Sequence, residues 1–369
     1  MGTILQIGHH SKNLLDEESL FFDGAILSPV NYTKAECISI IEENDYKEIE
    51  IIFDPQLYFP NEARQNLVNW DYFPEDVDTV DLSNIQWWEK LNCQLISTMK
   101  EINPDSLCSP AVVPRIYSSK YYEICSIVTN DLIDEADSTN IDVIQTILIE
   151  IKSLKSQKYI ENILPKLMVS KANRFYLIFV SEIEPRRELE DLGILLKCMI
   201  LIKKIRNQGK DVIIGYSSSD QILWKYAGSN HCATGKFFNL RRFTPSRFVP
   251  PPTGGGGQIS YWFEENIMAF LRDHDIQLLR LENLLSNHSL QNPYSIKIID
   301  QIDKTPDEAW LGLSWRQYLY WFIEFEKNYR LGIIDPKTIL KNAEKIWLQI
   351  EEKDILMDEP RNDGSWIRP

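Results

Sequence analysis

Short apolar runs rich in β-branched residues recur along this chain, separated by stretches with helical spacing, and that alternation narrows the possible folds more than any other feature. Runs at residues 4–8, 24–29, 49–54, 106–109, 175–180, 212–216, 231–235 and 259–263 read as strands. Most are continuously apolar rather than alternating, the pattern of strands covered on both faces, as in parallel sheets. Strand and helix in alternation imply a parallel α/β fold. Eight units predict a (β/α)8 TIM-like barrel with helical insertions and a C-terminal helical extension. A doubly wound open sheet is the alternative, because the first and seventh runs are short.

The helices between these runs carry readable ends. Thr33-Lys-Ala-Glu36 and Ser83-Asn-Ile-Gln86 fit capping boxes, in which side chains satisfy the free amides of a first turn. Residues 187–207 place Leu189, Leu192, Leu196, Met199 and Ile202 at helical spacing, and Gly209 can close that helix. Two segments exceed what a barrel needs: 55–80, rich in aromatic and acidic residues, and 116–172, which reads as two or three helices where one would suffice. After residue 285 the pattern is wholly helical, with helices at 314–331 and 336–353, the second opened by Asp335-Pro336. The chain thus divides into a barrel over residues 1–285 and an extension over 286–369.

Composition limits the function classes. Of 369 residues nearly half are apolar and only 15 are Gly, so a large core can be buried. No apolar run approaches the ~20 residues of a membrane helix, and the first residues lack the pattern of a signal peptide. The expectation is a cytoplasmic protein with no membrane contact. The six cysteines have no metal-ligand spacing, so neither a metal nor another cofactor is expected.

The formal net charge is −15, yet residues 221–263 contain no acid and hold Lys225, Lys236, Arg241, Arg242 and Arg247. A basic loop in an acidic molecule points to an anion: a phosphorylated small molecule, a nucleotide or a nucleic-acid segment. In barrels the loops after the last two strands often bind phosphate. Arg can grip such a group with two parallel hydrogen bonds. Lys236, Asn239, Arg241, Arg242 and Arg247 are therefore the candidate phosphate ligands, with Tyr216 at the preceding strand end. The alternative for the arginines is pairing with the chain's own acids. Gly254 to Gly257 read as a return connection rather than a phosphate cradle.

Ligands of parallel α/β proteins collect at the carboxyl ends of strands. Asp54 ends the third run and Glu182 follows the fifth, so they are the candidate base or nucleophile and its acid partner. Capping a turn or a helix start would account for either residue without chemistry. Trp310, Trp315, Tyr318, Tyr320, Trp321, Phe322 and Phe325 form an aromatic face on the extension, read first as core and second as a surface for a protein partner.

An apolar strand ending in Asp54, the later Ser109-Pro110 and an Arg-rich segment after a late strand together resemble tRNA-guanine transglycosylase-like barrels. The resemblance implies a TIM barrel, base exchange on nucleic acid and aspartates as base and nucleophile. Where that family has Asp-Ser-Gly-Gly-Phe, this chain has Asp54-Pro55-Gln56-Leu57-Tyr58, and the family's zinc-binding cysteines are missing. Two function classes follow. One is a ligand-binding barrel enzyme for glycosyl or base transfer or glycosidic hydrolysis. The other is a noncatalytic scaffold or nucleic-acid-binding subunit of an assembly.

Overall fold

A computed structural model describes the chain except residues 1, 45–46, 63–64, 76, 79–80, 184–188, 245–246, 249–258, 306–307 and 358–369. The strands are β1 (Gly2–Gln6), β2 (Gly24–Leu27), β3 (Glu50–Phe53), β4 (Ser106–Cys108), β5 (Asp142–Glu150), β6 (Arg174–Val180), β7 (Asp211–Gly215) and β8 (His231–Thr234). They close in sequence order into an all-parallel barrel, β8 returning to β1 with Gly2 opposite His231 and Leu5 opposite Thr234. Closure excludes the open sheet and makes this a (β/α)8 TIM barrel.

Seven of the eight expected strands are barrel strands, and the eighth differs. The run at 259–263 contributes β9 (Trp262–Glu264), which pairs antiparallel with β10 (Ala269–Leu271) outside the barrel. The missing strand is β5, inside the segment 116–172 that was read as helical. Its Ile144, Ile147, Leu148 and Ile149 are buried, as the middle strand of a covered sheet requires.

Helices α1 (Lys34–Asn44), α2 (Gln65–Val68), α3 (Ile85–Ile102), α4 (Ser119–Ala136), α5 (Gln157–Leu167), α6 (Leu192–Arg206) and α7 (Gln221–Tyr226) join the strands. At α1 the Thr33 amide donates to Glu36 at 2.7 Å and the Glu36 amide to Thr33 Oγ1 at 3.4 Å, the reciprocal box read from sequence. At α3 the cap is Asn84, one residue later than expected, whose side chain accepts from the Gln86 amide. Gly209, at φ 80°, lies just beyond α6, where only a residue without Cβ turns at little cost.

Beyond β10 come α8 (Asp273–Leu281), α9 (Asn287–Gln291), α10 (Pro293–Lys304), α11 (Leu311–Arg330) and α12 (Pro336–Glu352). Asp335 caps α12 as expected, accepting from the Lys337 and Thr338 amides. Trp262, Ile276, Ile298 and Trp347 belong to a second hydrophobic cluster, while Tyr318, Trp321, Phe322 and Phe325 of α11 belong to the barrel's. Those four aromatic side chains are core. Among the described residues no helix is long and apolar enough to cross a membrane.

The amino-terminal end of the barrel is pinned by charge. Arg174 grips Glu50 with two hydrogen bonds, at 2.5 and 2.8 Å, and also reaches Ser106 and Asp142. Bonds between strand starts stabilise this end.

Candidate functional site

At the carboxyl end of the barrel the sequence places one acid inside the wall. Asp54 follows β3 and is 1 % exposed. Its carboxylate accepts from the Tyr58 hydroxyl at 2.8 Å and the Gln56 amide at 3.0 Å. Burial pushes its pKa up to about 6, against these two bonds and the nearby positive charge of Arg247. Such a group can give or take a proton near neutral pH.

Hydrogen bonds link other polar groups inside this end of the barrel and at its mouth. Arg247 Nη2 donates to Ser28 Oγ at 3.2 Å, and Ser28 donates to Gln56 Oε1 at 2.9 Å. Gln6 bridges the barrel, donating to the Tyr176 hydroxyl at 3.0 Å and accepting from the Tyr216 amide at 2.9 Å. Ser109, beyond β4, accepts from Thr146 through its carbonyl oxygen at 2.7 Å. Gln56 and Tyr216 both have positive φ, 54° and 55°. This is a strained setting for long side chains, and such residues cluster at functional sites.

Tyr176 and Gly215 fit each other closely. A Cβ added at Gly215 would lie 2.6 to 2.8 Å from the Tyr176 ring. Gly215→Ala should therefore cost about 1–3 kcal/mol through overpacking. Urea unfolding checks it, and an unshifted midpoint would show that the ring yields.

The loop after β8 closes this end of the barrel. Phe243 bridges to Val180 and, with Phe248, packs edge-on against Tyr58 at 5.1 and 5.0 Å between ring centroids. Tyr216 meets Phe243 at 5.2 Å. Beside Tyr58, between the segments after β3 and β4, lies a cavity of about 400 Å³.

The candidate residues named from sequence fall into three groups. Asp54, Tyr216 and Arg247 converge, all buried, at the barrel mouth. Glu182 is not with them: its side chain is 81 % exposed and pairs with Lys152. The residues from Lys236 to Arg242 sit where the barrel meets α11. Arg241 donates to the Gly235 and Lys236 carbonyls at 2.9 and 3.0 Å and to the Tyr261 hydroxyl at 2.6 Å, and its guanidinium lies 3.6 Å from the centre of the Tyr318 ring. Lys236 donates to the His10 carbonyl at 2.8 Å and lies 4.7 Å from both the Phe237 and Trp315 ring centres. Burial, with the Arg316 charge, brings its pKa down to about 8. Arg242 is buried beside them, and Asn239 is partly buried in the same loop. At the start of α7 Asp220 accepts from the Ser217 hydroxyl at 3.1 Å and from the Ser218 amide at 2.9 Å.

Several participants were not singled out from sequence: Tyr58, Gln56, Ser28, Gln6 and Tyr176. Tyr58 was within reach, since a Tyr four residues past a strand-end Asp can turn back onto it. Gln6 and Tyr176 bond across the barrel, and only closure brings them together. Among the described residues no group of three or more His, Cys, Asp or Glu side chains could hold a metal ion.

No family model matches this chain, and no curated protein does. Solved structures similar to it include a β-mannanase from Bacteroides ovatus, with 11 % identity over 69 % of this chain and 85 % of that one, at a TM-score of 0.42. A D-allulose 3-epimerase from Methylomonas sp. has 11 % identity over 64 % and 84 %, at 0.37. A thiamine phosphate pyrophosphorylase from Pyrococcus furiosus has 7 % over 63 % and 84 %, at 0.32. At these values the comparisons carry no inference about reaction or ligand. The barrel implied by the resemblance to transglycosylase-like proteins is present, as the strand register establishes. The transglycosylase part of that resemblance is not among these similarities.

Proposed function

We propose that this barrel is an enzyme that binds a small phosphorylated or nucleotide-like ligand at its carboxyl-terminal mouth. Asp54 exchanges the proton needed to cleave or transfer a glycosidic bond. The observation that supports it is the buried Asp54 carboxyl, hydrogen-bonded to Tyr58, with a pKa raised to about 6 at the end of the barrel where such chemistry is done. Arg247, beside Asp54, supplies positive charge for a developing anion. Because Glu182 stands apart, Tyr58 replaces it in this reading as the second proton-carrying group.

Screening nucleotides and sugar phosphates for base or phosphate release tests the reading. With any ligand turned over, Asp54→Asn should lower kcat by about a hundredfold or more while leaving circular dichroism unchanged. An undiminished rate would remove Asp54 from the mechanism.

A scaffold without catalysis is the second reading, and a different observation favours it. Arg241 binds α11 to the barrel and Phe243 and Phe248 cover the mouth, so the basic loop works as a joint. Absence of turnover across the whole panel, with a partner that co-purifies with the intact chain, would favour that reading.

A further inference from the structure

We propose that Lys236 is a nucleophilic amine that condenses with a small aldehyde to form an imine. It lies just beyond β8, at the end of the barrel where ligands collect. The residue is buried, and its ammonium donates to the His10 carbonyl at 2.8 Å and lies 4.7 Å from the ring centres of Phe237 and Trp315. Among the described residues no carboxylate pairs with it. Lys225, also buried, is instead paired with Glu326. In a chain with 54 acids against 39 Lys and Arg, a buried lysine left without an acid is set apart.

The charges around Lys236 are of its own sign. His9 and His10 stand on the segment after β1, Arg316 on α11, and Arg241 in the lysine's own loop. Glu17 is taken up by Arg316 and accepts from the Tyr294 hydroxyl. Burial between the rings, and then the Arg316 charge, disfavour the ammonium and favour the free amine, which is the nucleophilic form. A Cβ at Gly235 would lie 2.6 Å from the Leu240 side chain and 2.9 Å from the Gln6 carbonyl oxygen, so glycine there lets the ends of β8 and β1 close up and brings Lys236 to His10. The amine is near the surface, since His10 is exposed and Phe237 and Trp315 are only partly buried. The indole N–H of Trp315 is buried and has no acceptor among the described residues, which leaves a donor beside the amine for the oxygen of an incoming carbonyl.

The ammonium first gives a proton to water, and the amine nitrogen then bonds to the aldehyde carbon. Its two remaining protons end on the carbonyl oxygen, which leaves as water, and a C=N bond replaces the C=O bond. This chemistry is independent of the Asp54 reaction.

Reductive trapping of the full chain with acetaldehyde and cyanoborohydride at neutral pH, followed by peptide mass mapping, tests it. The reductant converts the imine to a stable ethylamine. Lys236 should be ethylated at least about tenfold faster than exposed lysines such as Lys90 and Lys203, because a larger share of it is free amine. That lead should hold up to about pH 8 and shrink above it, where Lys236 has no more proton to lose and ordinary lysines go on gaining free amine. A lysine buried for structure alone would be ethylated more slowly than exposed ones. Lys236→Arg should remove the fast product and leave circular dichroism and the labelling of other lysines unchanged. A lead smaller than about tenfold, or one that persists undiminished at high pH, overturns the proposal.

Discussion

Glu326→Ala is expected to cost about 3–5 kcal/mol of folding stability. Glu326 is 2 % exposed, and its Oε2 lies 2.7 Å from Nζ of the fully buried Lys225. Alanine would strand an ammonium in the interior with, among the described residues, only the Asn230 carbonyl, at 2.7 Å, as a partner. The loss would be a large part of the roughly 5–15 kcal/mol that holds a domain together. Removing both charges is different, because the cost of drawing two ions out of water disappears with them. Lys225→Met combined with Glu326→Leu should therefore recover most of the loss. Denaturant unfolding of both variants decides it. A single-variant cost below about 1 kcal/mol would mean that water reaches the pair.

The pH dependence of stability at Asp54 should be the next largest effect. Its pKa rises from 3.8 in the unfolded chain to about 6 in the fold, so the folded state binds the proton more tightly. The group's favourable contribution is complete below pH 3.8, falls as the unfolded chain ionises, and is lost as pH passes through about 6. A rise of this size corresponds to about 3 kcal/mol at about 1.4 kcal/mol per pKa unit. Asp54→Asn removes the titration. The stability difference between wild type and Asp54→Asn should move by about 2.4 kcal/mol in the variant's favour from pH 4 to pH 7. Parallel stability curves would mean that the carboxyl has its ordinary proton affinity.

The barrel was legible because parallel strands buried on both faces are written as apolar runs, and seven of eight could be read that way. Strand β5 escaped because Gln145 and Thr146 interrupt its apolar run. Their side-chain donors find partners only through tertiary contacts, Gln145 Nε2 with Ser126 and Thr146 Oγ1 with the Ser109 carbonyl. The run at 259–263 has the composition of a barrel strand, and nothing local says that its partner is Ala269–Leu271. At the site, a strand-end acid was readable and led to Asp54. The different fates of Arg247 and Arg241 were not readable, because an arginine that bridges two parts of a chain has the same sequence signature as one turned to the barrel mouth.

The seam between β1 and β8 also sets an order of events during synthesis. One edge of β1 can pair with β2 as soon as residue 27 is made, but the other waits for residues 231–234. Helix α11, which packs on β1, comes later still. A nascent chain therefore carries an open parallel edge through most of translation, so conditions that slow elongation between β2 and β8 should favour intermolecular strand pairing and aggregation.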